Sequence, residues 1–357
     1  MRILFGIVTA LVIGGCSESA SLPSEKGPGH HMGTSKELIV VAAVGPGDDY
    51  YTEAAADIFA FHVAYGLQVL AHDDFLILVG ADKYAAYADA LGERHVVLAP
   101  QDDIWLRDFS LSDPAYPVMF RYTAEGQGGG RRGQRNADRV QEILAEVMEA
   151  AGLRFAESDL LNDGGNYVGD GDGRVVVSRK FLRDNALTEE QGRAAIREET
   201  GARFVAFIEA DEQAGLEHAD GVVAFVEPGV LVVNAYPDDP DFAATLEHDL
   251  RRGLPGVEIH RVATPYARGE VYDDKFGSAC GLYTNMLVTP HRIYLPQFGI
   301  AQDREVISFI GALTDKTIVP VRSDTVCYMG GGVRCMSWQL RGENAAAFKR
   351  WARGQEN

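Results

Sequence analysis

The stretch Gly221 to Tyr236, "GVVAFVEPGVLVVNAY", sets two apolar runs on either side of Pro228-Gly229. Valine-rich runs of this length around a Pro-Gly turn read as an antiparallel hairpin. The pattern recurs. "NMLVTPHRIYLPQFG" at 285–299 turns at Pro290-His291, and "NYVGDGDGRVVVS" at 166–178 turns on Asp170 to Gly173. "FSLSDPAYPVMFRYT" at 109–123 is a fourth candidate, although its prolines weigh against regular strands.

A helical pattern follows each hairpin. In "DRVQEILAEVMEAAG" the residues Val140, Ile143, Leu144, Val147, Met148 and Ala151 fall on one face, with Gly152 as a stop. Further helices are expected near 188–200, 240–252 and 302–313, each leading to a short apolar strand such as "RFVAFI" or "TIVPV". The unit is ββαβ. One polar position precedes each hairpin or glycine turn: Asp108, Asn166, Asp220, Asn285 and Cys335, spaced 58, 54, 65 and 50 residues apart. A period of this size marks propellers and arrays, in which such positions meet at an axis. Five units fit the 357 residues, the first beginning near residue 37 with "LIVVAAV".

The chemistry of those positions is specific in combination and ordinary one by one. Cys335 follows three glycines in "MGGGVRCMSW", where backbone can approach a ligand closely. It is a nucleophile if a base or a lowered pKa supports it, and a structural thiol otherwise. "LEHADG" puts His218 and Asp220 two apart, hence on one side of an extended segment. Proton transfer, metal binding and plain surface polarity all fit an isolated pair of this kind. In "QDDIWLRDF", Asp108 can accept two parallel hydrogen bonds from a guanidinium, and Arg107 can brace against Asp102 or Asp103. Two aspartates sharing a metal-free cavity repel each other, and a bound guanidinium removes that cost. "DGDG" reads as a hairpin tip rather than a calcium loop.

The ends and the charge add constraints. "MRILFGIVTALVIGGC" has a basic start and an apolar run too short to span a membrane. Its "IGGC" matches a bacterial lipobox, which makes Cys16 a lipidation site; an ordinary secretory signal is the other reading. Residues 1–16 are thus a leader, 17–36 a Ser/Gly/Pro-rich tether, and 37–357 the folded domain. The net charge of −19 argues against nucleic acid and for cationic ligands. Beyond Cys16, Cys280, Cys327 and Cys335 are odd in number, so at least one thiol stays unpaired within the monomer.

The motifs "DDIWLRDF", "DGGNYVGDGDG", "EHADGVVAFVEPGVLVV", "LYTNMLV…YLPQFG" and "GGGVRCMSW", in this order, make the chain resemble the guanidine-modifying superfamily. Within it the resemblance is to bacterial Porphyromonas-type peptidylarginine deiminases and agmatine deiminases. It implies a five-bladed α/β propeller of pseudo-symmetric ββαβ units and hydrolytic deimination without a cofactor or metal. Asp108 and Asp220 would grip the guanidinium, Cys335 would form a covalent thiouronium, and His218 would protonate ammonia and then activate water. Trp105, Asn166 and Asn285 would line the substrate site. Arg131 and Arg132, with Arg135 beside them, would meet a substrate carboxylate. Arg334 stands where many agmatine deiminases have histidine.

The expected function is therefore an exported, lipid-anchored deiminase of arginine-containing peptides. An agmatine deiminase is the alternative within the class. A silent guanidinium-binding lipoprotein is the alternative outside it, and a Cys280–Cys327 disulfide is a separate hypothesis.

Overall fold

The apolar runs form strands because valine, isoleucine and leucine fill both faces of each one. In β1 (Leu38–Ala42), Ile39 and Val41 join one core cluster while Leu38, Val40 and Ala42 join another, so the whole run is buried. The computed structural model describes residues 36–45, 49–210, 216–265, 271–273 and 275–355. Cys16 and the leader and tether expected at 1–36 lie outside these, except Lys36.

Next to β1 lie β2 (Asp74–Val79) and β3 (Val96–Leu98), in parallel register from Leu38↔Asp74 and Ile77↔Val96. Strands β4 (Val118–Arg121) and β5 (Ala156–Leu161) form a two-stranded parallel sheet. Three sheets then repeat one plan, an antiparallel pair plus a parallel third strand. They are β6 (Val168–Gly169), β7 (Arg174–Ser178) and β8 (Phe204–Ile208); β9 (Val223–Glu227), β10 (Val230–Asn234) and β11 (Glu258–Val262); and β12 (Leu287–Val288), β13 (Arg292–Gln297) and β14 (Thr317–Arg322). Last, β15 (Trp338–Leu340) returns to pair antiparallel with β1. The described residues thus form an α/β fold of five separate sheets.

Helices cover the sheets: α1 (Ala55–Leu70), α2 (Ala81–Leu91), α3 (Leu106–Phe109), α4 (Gly130–Ala150), α5 (Lys180–Asp184), α6 (Glu189–Thr200), α7 (Pro240–Gly253), α8 (Gln302–Gly311) and α9 (Gly342–Gly354). Local chemistry sets their ends. Thr188 and Gln191 make a capping box at the start of α6, and Gly201 ends it at φ +70°. None of the described helices is long and apolar enough to cross a membrane.

Two expectations need correction. The 109–123 segment is no hairpin: only β4 forms, with one rung from Ser112 N–H to the Val118 carbonyl at 2.9 Å. Pro114 and Pro117 lack the N–H groups a ladder needs, and the Asp113 carboxylate takes those of Ala115 and Tyr116 at 2.7 and 3.3 Å. Nor does a complete unit begin at residue 37. The unit that follows Cys335 is split, taking β15 from the end of the chain and β1, α1 and β2 from its start. Ion pairs seal the join, Arg341 with Glu37 at 3.1 Å and Lys349 with Asp74 at 2.6 Å.

Candidate active site

The five polar positions occupy the turns that feed the sheets, and four of them come together. Asp108 sits on α3, whose single turn is pinned by Arg107 N–H bonding to the Cys335 carbonyl at 3.1 Å. Asp220 lies on the turn Ala219–Gly221 before β9. Asn285 Nδ2 donates to Cys335 Sγ at 3.0 Å, while its Oδ1 accepts from Arg334 N–H at 3.2 Å. His218 reaches Asp108 Oδ1 through Nδ1 at 3.6 Å and Asp163 Oδ2 through Nε2 at 2.8 Å.

Glycine makes this proximity possible. A Cβ on Gly165 would stand 2.5 Å from His218 Nδ1 and 2.9 Å from Asp108 Oδ1, and one on Gly331 would stand 2.4 Å from the Trp105 ring. Trp105, Asp108, Tyr122, Gln127 and Cys335 line a cavity of about 580 Å³. His218, Asp220 and Asn285 are buried beside it.

The electrostatics are those of a site prepared for a cation. Among the described residues, neither Asp108 Oδ1 nor Asp220 Oδ2 has a hydrogen-bond partner, although both are buried. Such acceptors are costly to leave unmade. Burial, reinforced by Asp163 and Asp220 and opposed by His218, pushes Asp108 up to about 7. Burial alone would lower His218, but Asp108 and Asp163 outweigh it and raise the imidazole to about 9. Burial and the carboxylates of Asp220 and Asp108 push the Cys335 thiol upward, against the Asn285 hydrogen bond. Cys335 is half-buried and is the free cysteine of the described chain; Cys280 and Cys327 are joined in a disulfide.

Several expected roles shift. Asn166 does not face the cavity: its Oδ1 accepts from Ser178 N–H at 2.8 Å and Ala219 N–H at 3.2 Å, so it fastens one unit to the next. Arg107 pairs with neither Asp102 nor Asp103; it donates to Gln339 Oε1 at 3.1 Å, because its side chain points into the core under β15. Asp103 accepts from Tyr51 and Ile104, and Asp102 pairs with Arg139 at 3.0 Å. Arg131 and Arg132 are exposed on the first turn of α4 and do not line the cavity; Arg139, two turns on, does. Asp163, which opens the "DGGN" string, joins the site through a partner, His218, that lies 55 residues away. No local pattern reveals that pairing.

Proteins similar to this chain in sequence and fold are known. A proposed agmatine deiminase of Selenomonas ruminantium is 26% identical over 89% of this chain and 95% of its own length. The solved agmatine deiminase of C. jejuni superposes with a TM-score of 0.68 at 15% identity, over 86% of this chain and 93% of that one. A proposed arginine deiminase of Porphyromonas gingivalis does so with 0.66 at 17%, over 86% and 96%. Such a fold and site define a hydrolase of amidine carbon–nitrogen bonds. The chain belongs to the Porphyromonas-type peptidyl-arginine deiminase family, whose model matches residues 42–340.

Proposed function

We propose that the protein hydrolyses the guanidinium group of agmatine, giving N-carbamoylputrescine and ammonia. One observation carries the reaction type: two buried carboxylate oxygens with no hydrogen bond, Asp108 Oδ1 and Asp220 Oδ2, each faced only at 3.6 Å by a cation, His218 and Arg334 respectively, share the site with a free thiol. A planar guanidinium satisfies both acceptors at once. Its charge also offsets the carboxylates that hold the Cys335 proton, so the thiolate forms when substrate is present.

The thiolate adds to the guanidinium carbon, forming a C–S bond. His218 gives a proton to the departing nitrogen, the C–N bond breaks and ammonia leaves behind a thiouronium. Water then adds to the same carbon, giving its proton to His218. The C–S bond breaks, its electron pair returns to sulfur, and the remaining hydroxyl proton passes to solvent, where the released ammonia takes it up. The net change is guanidinium plus water to urea group plus ammonium.

The choice of agmatine rests on the cavity wall. Asp102, Asp103, Asp108 and Asp273 line it against Arg139 and Lys275, and Arg139 is already paired with Asp102. An acidic wall favours the ammonium tail of agmatine over the carboxylate of a C-terminal arginine. The named agmatine deiminases among the relatives support the same choice. Peptidyl arginine, first expected from the arginines at 131 and 132, loses that support because they are off the wall. Comparing ammonia release from agmatine and from a C-terminal arginine peptide tests the choice: equal or greater kcat/KM for the peptide would overturn it.

The architecture that fits these facts is a five-bladed propeller. Support comes from five sheets and from five polar turns at a near-constant spacing. Export with a lipid anchor at Cys16 belongs to the same proposal, and the Cys280–Cys327 disulfide suits an oxidising compartment. Loss of membrane association on Cys16→Ala would support the anchor, and unchanged association would remove it.

A further inference from the structure

Lys180 opens α5 and is 5% exposed. A buried ammonium must donate all three N–H bonds and can accept none. Its three acceptors are Thr123 Oγ1 at 3.2 Å, the Glu125 carboxylate at 3.3 Å and the Asp184 carboxylate. The charges facing it are those of Asp163, Asp184 and Glu125, which outweigh burial and hold it cationic.

That donor-only character dictates the next bonds. The Thr123 hydroxyl accepts from Lys180, so its single hydrogen is free for Asp163 Oδ2, 2.8 Å away. Thr123 N–H donates to Asp163 Oδ1 at 2.8 Å as well. Burial works against the charge on Asp163, but these donors, His218 and Lys180 hold its pKa below the usual carboxylate range. An ionised carboxylate only accepts, so the proton shared with His218 at 2.8 Å belongs to Nε2. Nδ1 is the nitrogen turned to Asp108. The other carboxylate acting on the imidazole is Asp220.

We propose that Lys180 is a positioning residue that fixes the direction of the hydrogen bonds from Lys180 to Thr123 to Asp163, and so places the proton of neutral His218 on Nε2. Nδ1 is then the atom that exchanges protons with substrate and water. This rests on the reading of His218 as the proton carrier, and its test includes a readout independent of turnover.

The experiment is 15N-histidine NMR on the whole protein at about pH 10, above the His218 pKa of about 9, together with agmatine kinetics across pH. In the unmodified protein the neutral ring carries its proton on Nε2. In Lys180→Met and Thr123→Val the Asp163 carboxylate loses donors that orient it toward Nε2, so the Nδ1–H tautomer gains population and kcat falls by about tenfold with little change in KM, while Lys180→Arg restores both. An unchanged tautomer and pH profile in folded Lys180→Met would overturn the proposal. If that variant does not fold, Thr123→Val decides alone, since it removes the hydroxyl link and keeps the side-chain shape. Absence of deimination by the unmodified protein would sink the proposed function, while the NMR result would still decide the proton placement.

Discussion

Asp108 and Asp220 deliver equivalent oxygens from unlike supports. Asp220 precedes a complete hairpin, whose β9 and β10 pair from Val223↔Val233 to Glu227↔Val230 with one register shift between Val230 and Leu231. Asp108 precedes a segment whose first strand never forms. There the side chain of Gln141, reaching in from α4, takes the place of a ladder: it donates to the carbonyls of Phe109 and Phe120 at 3.2 and 2.8 Å and accepts from Tyr122 N–H at 3.1 Å. One amide does the work of several backbone pairs. The site therefore has one carboxylate held by a strand ladder and another held by a few turn bonds, among them Arg107 N–H to the Cys335 carbonyl, and by one side-chain amide.

The most severe break in this comparison is to remove the charges themselves. Asp108→Asn and Asp220→Asn should each lower kcat/KM for agmatine by roughly 10²–10³-fold, since each leaves a buried guanidinium nitrogen facing a neutral amide. Asp108 has a folded pKa raised to about 7, so its ionised form costs stability once pH exceeds the unfolded carboxylate value, with the full cost above about 7. Thermal melts at pH 8 should show Asp108→Asn more stable than the parent, and an equal or lower Tm would refute the charge assignment. The same pair of groups predicts a bell-shaped kcat/KM profile, rising as Asp108 ionises near 7 and falling as His218 deprotonates near 9. A profile flat from pH 6 to 10 would count against both roles.

Next in size is the support. Gln141→Leu strands three buried backbone groups and should cost about 2–4 kcal/mol by denaturant unfolding, with activity lost alongside. Gly229→Ala, at φ +78° in the β9–β10 hairpin, should cost only about 1–2 kcal/mol and leave turnover of the folded enzyme intact. Equal effects would mean that the irregular segment has supports beyond Gln141. The smallest effect is expected on the helix start: Arg131→Ala and Arg132→Ala should leave kcat/KM for agmatine within twofold, because neither side chain meets the cavity. A larger loss would return them to the substrate site.

The same contrast explains what could be read from the sequence. Hairpins such as 221–236 were legible because turn and strands are neighbours in the chain, and the recurring polar residue before each turn marked Asp108, Asp220, Asn285 and Cys335. The glycine-rich approach to Cys335 was legible for the same reason. What escaped was long-range: Arg107 finds Gln339 232 residues away, Asp163 finds His218 at 55, and Lys180 finds Thr123 at 57. In these pairs a side chain satisfies a buried charge, and periodicity carries no record of the partner. Asn166 shows the converse, a motif position whose amide is spent on backbone.

The pairing of β1 with β15 has a consequence for biosynthesis. Leu38 meets Leu340, about 300 residues later, so the sheet that follows Cys335 closes only when nearly the whole chain has been made. At elongation rates of roughly 5–20 residues per second, the earlier units have time to fold while β1 waits with an open edge. Cys335, the proposed nucleophile, is the last of the site residues to be synthesised and the last to gain its supporting strand. A nascent or C-terminally truncated chain would therefore hold its two carboxylates and its histidine without a reactive sulfur between them, and deimination would begin only on completed molecules.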